Sequence, residues 1–383
     1  MENQRSAWSN HFIFTRTLLT NPKINLMITP LILLMTSVVP PSASEALLSE
    51  ATLQAAIPDW IHFYGDIRVR AESTMDQNVE GDDRTRGRLR FRAGAKFNIS
   101  DELRAEVRMT TSSGDGNNVH WDFGGGPDST NGADVAIDRI NLTWSASDST
   151  TVKVGKFGNP FKTNPVFGEW TWDGDIQPAG VFGQWSSEGE LDMDLRLGHF
   201  IIDEVNTLPG DTADPAVTSL QLNLAGGEDL KWGFSTMVSD WSSEAAFTGS
   251  AEDFLVWDSV ASATSGDFTG SVEFIQNLDD DSGEDTGMAI GFTYGTAGSQ
   301  GDSRFFGSYF DFDKNAFVSE VAQDDTPLAG TGGGMNGFFG GWQYWWRDTV
   351  SFKVWGLQAD GQADGDSVDP LRLRFDIDVN LSH

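Results

Sequence analysis

The feature that most constrains the fold is an alternation of apolar and polar residues with a period of two, which begins near residue 63 and continues to the end of the chain. A period of two is that of a β-strand with one apolar and one polar face. In residues 86–99 the apolar face carries Leu89, Phe91, Ala93, Ala95, Phe97 and Ile99, and the polar face carries Arg86, Arg88, Arg90, Arg92, Lys96 and Asn98. The chain is therefore predicted to be all-β, and the pattern fits both a soluble sandwich and a membrane barrel.

The lengths of the connections between strands distinguish these two folds. Sixteen candidate strands lie near residues 63–73, 86–99, 103–113, 136–147, 150–160, 179–187, 191–202, 216–225, 230–241, 253–264, 268–277, 287–297, 303–313, 337–347, 349–358 and 370–382. Connections after even-numbered strands are short, such as residues 148–149, whereas those after odd-numbered strands are longer, such as residues 114–135. Tight turns at one end and long loops at the other are typical of outer-membrane barrels. We therefore predict a transmembrane, antiparallel, up-and-down β-barrel of about 16 strands.

Aromatic residues near the strand ends support a membrane location. Trp60, Phe63 and Tyr64 precede or open the first strand, and Trp241 and Phe312 approach the long loops. Aromatic side chains concentrate at the two interfaces of a bilayer. We therefore expect these five side chains to face the membrane interfaces, and packing inside the protein is the alternative for each of them.

The N-terminal region predicts export from the cytoplasm. Three basic residues precede a 16-residue apolar stretch, Ile24–Val39, and small residues follow at positions 42–44. This order is typical of a secretory signal peptide. The stretch is shorter than the ~20 apolar residues that a membrane-spanning helix needs, so we expect cleavage rather than anchoring. The predicted division is a signal peptide over residues 1–44, a short periplasmic segment over 45–60 and the barrel over 61–383.

Composition and motifs argue against several classes of function. With 25 basic and 57 acidic residues, the net charge is -32, which does not suit nucleic acid because phosphate binding needs clustered Lys and Arg. The sequence has no cysteine, and it contains no nucleophile elbow, HExxH motif or phosphate-binding loop. We expect no enzymatic activity, cofactor or metal site. The acidic runs at residues 279–285 and 360–369 lack the EF-hand spacing and are predicted to be solvated outer loops.

Residues 87–116 and 154–180 carry the most specific motif of the chain. Its shared features are Gly155, Lys156, Asn159, Pro160 and Phe161, followed by Trp172, Asp173, Asp175, Pro178 and Gly180. In these features the sequence resembles a family of bacterial outer-membrane porins. The resemblance implies a diffusion pore in the cell outer membrane without enzymatic activity. One departure is the C-terminus, which ends in Leu381, Ser382 and His383 instead of the aromatic residue that such barrels usually carry.

The resemblance also implies a position for the third long loop, Phe161–Pro178. In general porins the corresponding loop folds into the lumen and narrows it, which would place Glu169, Asp173 and Asp175 at the pore constriction. The basic side chains expected opposite these acids project inward from the first three strands and are Arg68, Arg70, Arg88, Arg90, Arg92, Arg104 and Arg108. Opposite charges across a narrow pore produce a transverse field that biases the passage of charged solutes.

Two questions about these residues stay open from the sequence. The arginines could instead pair along the barrel wall with the acids of their own strands, Asp66, Glu72 and Glu106. The third loop also carries three aromatic residues, Phe167, Trp170 and Trp172. These could stack on sugar rings, which present an apolar face to an aromatic side chain, or they could anchor the loop to the wall.

The predicted function is that of an outer-membrane porin for passive diffusion of small hydrophilic solutes or ions, with a weak preference for cations because of the loop acids. The expected partners are outer-membrane lipid, lipopolysaccharide and the diffusing solutes, and both a monomer and a homotrimer stay open. One alternative is a non-conducting barrel that serves as a scaffold or adhesin. Another is a secreted β-protein that binds glycans through its 14 tryptophans.

Overall fold

The chain forms a single antiparallel sheet of 18 strands in the part described by the computed structural model, residues 58–76, 83–112, 119–123, 133–202, 214–242, 254–323, 334–363 and 366–381. The strands are β1 (Ile61–Met75), β2 (Arg84–Asn98), β3 (Leu103–Ser112), β4 (Trp121–Asp122), β5 (Asp134–Ser147), β6 (Thr150–Lys156), β7 (Ala179–Ser187), β8 (Asp192–Ile201), β9 (Ala216–Gly226), β10 (Lys231–Ser242), β11 (Leu255–Ser265), β12 (Phe268–Asn277), β13 (Thr286–Gly295), β14 (Ser303–Phe312), β15 (Met335–Arg347), β16 (Val350–Ala363), β17 (Asp366–Val368) and β18 (Leu371–Asn380). The predicted signal peptide and most of the predicted periplasmic segment lie outside the described residues.

The sheet closes on itself, because the first and last strands pair. Strand β18 runs antiparallel to β1, with a register from Asp66 opposite Asn380 to Met75 opposite Leu371. Strands β4 and β17 are short additions within long connections, and each pairs with a neighbouring long strand. The other sixteen strands form the barrel, which confirms the predicted fold. Closure leaves no unpaired strand edge, as a sheet inside a bilayer requires.

The two faces of the strands differ as the alternation predicts in β2 and β18. Arg88 is 1% exposed and Arg90 is 6% exposed, whereas the next residue, Phe91, is 40% exposed on the outer surface. In β18 the buried side chains are likewise the polar ones, Arg372, Arg374 and Asp376. Polar side chains inside and apolar side chains outside are the arrangement of a membrane barrel with a wet interior. Among the described residues, no helix is both long and apolar enough to cross a bilayer.

A β-bulge changes the phase of β5 and brings two neighbouring charges to the interior. The register between β3 and β5 shifts between Arg108 and Met109. Before the shift Ile137 faces outward, and after it Ile140 does, with exposed fractions of 58% and 60%. The residues between them, Asp138 and Arg139, therefore both form ion pairs or hydrogen bonds inside the barrel. A bulge of this kind inserts one residue that has no partner on the neighbouring strand, and it reverses the faces toward which the following side chains point.

The short connections are tight turns and all lie at one end of the strands. The turns at residues 148–149, 266–267 and 348–349 have two residues each. Gly266 has a φ of 55°, which the left-handed conformation of a tight hairpin requires and which glycine adopts without steric conflict. The longer connections lie at the other end, so the predicted alternation of short and long connections is present.

Two of the aromatic residues predicted to face a membrane interface are buried inside the barrel. Trp60 and Phe63 are 51% and 57% exposed, whereas Trp241 is 9% and Phe312 is 2% exposed. The prediction for Trp241 and Phe312 is wrong because strand parity places both side chains on the inner face, where aromatic residues of the third loop cover them. Tyr64 also faces inward, where its hydroxyl donates a hydrogen bond to Glu106.

Candidate functional site

A wall of arginines lines the inner surface of β1 and β2. The register places Arg68 directly opposite Arg90, so that like charges are cross-strand neighbours, which is unfavourable on its own. Acids from β18 offset this repulsion. The Nε of Arg68 donates to Oδ1 of Asp378 at 2.6 Å, and the Nε of Arg70 donates to Oδ1 of Asp376 at 2.8 Å. Charge-assisted hydrogen bonds of this type are stronger than neutral ones, so the closing strand stabilises the arginine wall.

The third loop, residues 157–178, folds into the barrel, as predicted. The backbone N–H of Lys162 donates to Oε1 of Gln221 at 2.9 Å, and Nε2 of Gln221 donates to the Lys162 carbonyl at 2.7 Å. Farther along, Nδ2 of Asn164 donates to Oε2 of Glu273 at 2.7 Å. Gln221 belongs to β9 and Glu273 to β12, so the loop crosses the interior instead of remaining beside β6 and β7.

An aromatic cluster holds the tip of the loop against β14 and β15. Trp170 is 1% exposed, and its ring centroid lies 5.0 Å from that of Phe310, 4.9 Å from Phe312 and 5.9 Å from Phe339. Phe167 lies 5.0 Å from Phe339. The inner face of β14 is therefore partly apolar, which departs from the simple rule of a polar lumen. These contacts favour the anchor interpretation for Phe167 and Trp170 over the sugar-stacking one.

Trp172 has a different environment from the other two aromatic residues of the loop. Its ring stacks on Trp241 of β10 at a centroid distance of 6.2 Å. Its Nε1 donates to the carbonyl of Ile176 at 3.0 Å, which fixes the return of the loop toward β7. Trp172 is only partly buried and lines an internal cavity, so it both anchors the loop and contributes surface to the lumen.

Asp175 brings the loop into direct contact with the arginine wall. Its Oδ1 lies 3.3 Å from Nη1 of Arg90 and 3.7 Å from Nη1 of Arg92, and its Oδ2 lies 3.8 Å from Nδ1 of His120. Asp66 pairs with the same two arginines, at 3.0 and 2.7 Å. Both sequence-based interpretations therefore hold for Arg90 and Arg92, since each pairs with an acid of the wall and with an acid of the loop.

Asp173 and Glu169 connect the third loop to the connection that follows β14. The N–H of Asp173 donates to the Val321 carbonyl at 2.8 Å, and the N–H of Gln323 donates to the Glu169 carbonyl at 3.0 Å. Oδ1 of Asp173 accepts a hydrogen bond of 2.6 Å from the N–H of Asp175. These backbone contacts hold the three acids of the loop on one short segment.

The third loop and the wall enclose a cavity of about 480 Å³, which we call the constriction cavity. Its basic lining comes from four strands and the connection before β5: Arg68, Arg70, Arg90, His120, Arg304 and Lys353. Its acidic lining comes from the third loop: Glu169, Asp173 and Asp175. Polar and aromatic loop residues, including Asn159, Thr163, Asn164 and Trp172, complete it.

The structure brings together most of the residues predicted at the constriction, and it places others elsewhere. Six of them line the constriction cavity: Arg68, Arg70, Arg90, Glu169, Asp173 and Asp175. Arg92 reaches Asp175, and Arg88 faces inward but pairs with Asp122 at 2.9 Å. Arg108 is buried against Asp138. Arg104 is exposed near the turn before β3, where it donates to Asn98 at 3.1 Å. Arg104 and Arg108 therefore lie outside the cavity.

Three basic residues of the cavity lining were missed from the sequence. Arg304 and Lys353 lie on the inward parity of β14 and β16, so strand parity alone could have identified them as lumen residues. Their position beside the third loop depends on how the barrel closes, and the alternation of residues along a single strand carries no information about closure. His120 lies in the long connection between β3 and β5, and the sequence offers no signal for its position.

The acidic run at residues 279–285 forms a hydrogen-bonded loop. Ser282 donates to Asp280 through its hydroxyl at 2.6 Å and through its N–H at 2.8 Å, and Asn315 donates at 2.9 Å. The hydrogen bonds from Ser282 hold the pKa of Asp280 below its ordinary value. Lys314 pairs with Glu284 at 2.9 Å. These contacts connect the loop to the start of the connection after β14.

A closed 16-stranded antiparallel barrel with a charged inner wall and a third loop folded inside defines the porin fold. The sequence model of the family described as "Putative porin" matches residues 76–206, roughly a third of the chain. The predicted resemblance to porins is therefore confirmed, with direct sequence support over this segment. No curated protein matches the chain.

Solved structures agree with this fold over nearly the whole barrel. The structure of OprB from Pseudomonas putida at high pH has a TM-score of 0.59 at 12% identity, covering 87% of this chain and 97% of that one. A mutant of the porin from Rhodopseudomonas blastica has a TM-score of 0.51 at 13% identity, covering 84% of this chain and 100% of that one. At these identities the likeness shows the shared fold.

Proposed function

We propose that the protein is a porin of the Gram-negative cell outer membrane through which small hydrophilic solutes or ions diffuse passively. The observation that carries the proposal is the third loop, which folds into a closed barrel and borders a cavity of about 480 Å³ with charged lining side chains. A charged cavity beside an inward loop suits the passage of hydrated solutes. No catalytic role is proposed for any of these residues.

The outer surface of the barrel supports the membrane location. Large apolar side chains are exposed around the barrel, among them Ile140, Leu197, Leu220, Ile290 and Phe338, each more than two-fifths exposed. A soluble protein that exposed such a belt would be prone to associate, whereas lipid covers it in a membrane. We therefore propose outer-membrane lipid and lipopolysaccharide as the partners of this surface. The homotrimer stays a prediction, and chemical crosslinking in native membranes tests it.

The charges around the constriction cavity support a weak preference for cations. Six basic side chains line it or pair with its lining: Arg68, Arg70, Arg90, Arg92, Arg304 and Lys353. Six acidic ones do the same: Asp66, Glu169, Asp173, Asp175, Asp376 and Asp378. Because these charges nearly balance, the preference should be small, and its sign should follow the three loop acids, which line the cavity itself.

The test is the reversal potential of single channels in a salt gradient. The variant Glu169→Gln/Asp173→Asn/Asp175→Asn removes three negative charges beside the basic wall, so selectivity should shift toward chloride. The matched control removes three exposed acids of an outer loop, Asp279→Asn/Asp281→Asn/Glu284→Gln. At ~0.15 M salt the screening length is ~8 Å, so the control should change the reversal potential much less.

Deletion of the third loop provides a second test. A channel that lacks residues 161–178 should conduct more current and discriminate less between ions, because the loop fills part of the lumen. If neither the deletion nor the triple variant changes conductance or reversal potential, the loop is not the constriction. Absence of any conductance from the folded barrel would instead favour the non-conducting scaffold.

A further inference from the structure

A second, smaller cavity of about 110 Å³ adjoins the constriction cavity, and we call it the side pocket. The two cavities share Val166, Phe167, Arg304 and Lys353 in their linings, so the side pocket is reached from the constriction cavity. Five aromatic residues line one part of it: Phe167, Trp170, Phe306, Phe339 and Trp355. Four polar residues line another part: Arg304, Gln323, Gln343 and Lys353. A concavity that combines aromatic walls with a few convergent polar groups is typical of a small-molecule site.

Two hydrogen-bond donors of the side pocket are buried without an acceptor. They are Nε of Arg304 and Nε1 of Trp170. Arg304 uses its Nη2 to donate to Oε1 of Gln343 at 3.1 Å. Within the described part of the chain, no carboxylate lies within ion-pair distance of Arg304. Buried donors are nearly always paired in proteins, so these two have hydrogen-bonding capacity that the protein leaves unused and that an acceptor in the side pocket could satisfy.

Lys353 adds a second positive charge at the boundary between the two cavities. Its Nζ lies 3.7 Å from Oδ2 of Asp376, and Asp376 is already bound by Arg70 through two hydrogen bonds of 2.8 and 3.2 Å. One carboxylate thus serves two cations. The electrostatic environment at the entrance of the side pocket therefore favours an anionic group.

We propose that the side pocket binds a small aromatic carboxylate on its way through the lumen, with the ring among the aromatic walls and the carboxylate toward Arg304 and Lys353. This proposal rests on the proposed diffusion function, because the ligand enters from the lumen. Aromatic rings attract one another in tilted and offset geometries, and Arg is the preferred partner of a carboxylate. A closed cavity of about 150 Å³ accommodates benzene, and the side pocket is smaller, at about 110 Å³. A single ring therefore fits only if its carboxylate extends into the adjoining constriction cavity.

Other ligand classes fit the side pocket less well. A sugar ring could stack on one aromatic wall, but it carries no charge for Arg304 and Lys353. Its other hydroxyl groups would lie against the remaining aromatic walls, and burial of polar groups without partners is unfavourable. An inorganic anion would satisfy Arg304 but would leave the aromatic walls without a partner. The weak cation preference concerns small hydrated ions at the balanced constriction cavity and is compatible with a local site for an organic anion.

The first experiment is calorimetric titration of the folded barrel in detergent with three probes that carry the ring, the charge or both. Benzoate has both the ring and the charge, benzamide has the ring without the charge, and acetate has the charge without the ring. We expect benzoate to bind at least about tenfold more tightly than either of the others, since each lacks one of the two recognised groups. Equal affinity for benzoate and acetate, or for benzoate and benzamide, would overturn the proposal.

The second experiment uses variants, each checked for folding by heat-modifiable gel migration. Arg304→Gln and Lys353→Met should each weaken benzoate binding, by about tenfold or more for Arg304→Gln because a hydrogen-bonded charge is lost. Arg347→Gln is the matched control, because Arg347 is an exposed cation at the turn after β15. If Arg304→Gln folds and binds benzoate as the parent does, the side pocket is not the site.

Single-channel conductance in potassium chloride, recorded from the same preparations, separates this proposal from the proposed function. A conducting barrel that fails to bind benzoate refutes the side pocket alone. A barrel that binds benzoate but does not conduct refutes the diffusion function, and it also refutes the claim that the ligand passes through the lumen. The expected result is conductance that benzoate reduces in the parent channel and in Arg347→Gln, but not in Arg304→Gln.

Discussion

Truncation of Trp170 to alanine should release the third loop from the barrel wall. The side chain is 1% exposed and packs against Phe310, Phe312 and Phe339 at centroid distances of 4.9 to 5.9 Å. Loss of a buried Trp side chain costs about 3–5 kcal/mol. Because about 1.4 kcal/mol is a tenfold change in an equilibrium, the ratio of undocked to docked loop should rise by roughly 150- to 5,000-fold.

Two assays measure this release. Single-channel recordings of Trp170→Ala should show larger or more variable conductance than the parent, because an undocked loop no longer fills a fixed part of the lumen. Trypsin should cleave after Lys162 faster in the variant, since the hydrogen bonds of that residue to Gln221 are lost whenever the loop leaves the wall.

The matched control is Trp144→Ala, which removes an outward-facing side chain that is 49% exposed and lies near the short-turn end of β5. This variant should conduct and resist trypsin as the parent does. If Trp170→Ala also keeps the parent conductance and the parent cleavage rate, the aromatic cluster does not determine the position of the loop. The hydrogen bonds to β9 and β12 would then be sufficient to hold it.

Three further predictions concern the barrel itself. Cell fractionation should recover the protein in the outer membrane after signal removal, and recovery in the soluble periplasm would contradict the membrane assignment. Cysteines introduced on the outer face, at Leu89, Phe91 and Leu373, should react with lipid-phase reagents. Cysteines introduced on the inner face, at Arg88, Arg90 and Arg372, should react with small aqueous reagents. Asp376→Ala should lower the temperature at which the barrel unfolds in a heat-modifiable gel assay, because loss of one partner of a buried ion pair costs about 3–5 kcal/mol. The control is Asp267→Ala in an exposed turn. Equal unfolding temperatures for the two variants would refute that reasoning.

Most of the fold could be predicted from the sequence, because barrel strands obey a local rule. Side chains alternate between lipid and lumen, and the alternation is interrupted mainly at turns and bulges, so most strand positions follow from residue type. The fifth predicted strand, residues 150–160, corresponds to β6 and ends at Lys156 in the structure, because the chain turns inward at the fully buried Phe157. The bulge in β5 is visible as a change of phase between Ile137 and Ile140.

The site was predictable only in part, because its contacts join segments that are distant in sequence. The loop acids and the arginines of β1 and β2 could be identified from charge and parity. The partners of those arginines on β18, such as Asp376, become evident only when the barrel closes. The sequence also did not distinguish the inner face of β14 from its outer face, because both carry phenylalanines. Phe305 faces lipid, while Phe306 and Phe310 face the interior.

The pairing of β1 with β18 has a consequence for the order in which the molecule assembles. The ion pairs Arg68 to Asp378 and Arg70 to Asp376 join residues 310 and 306 positions apart, so neither can form until almost the entire chain is available. The entropy lost when such distant segments meet grows with the logarithm of their separation, and folds dominated by distant contacts form slowly. A chain released before residue 376 would lack both acids and would carry the paired arginines of β1 and β2 along an open edge. Closure of the barrel thus requires a complete chain, since only a chain synthesised through β18 supplies the acids that pair with Arg68 and Arg70 of β1.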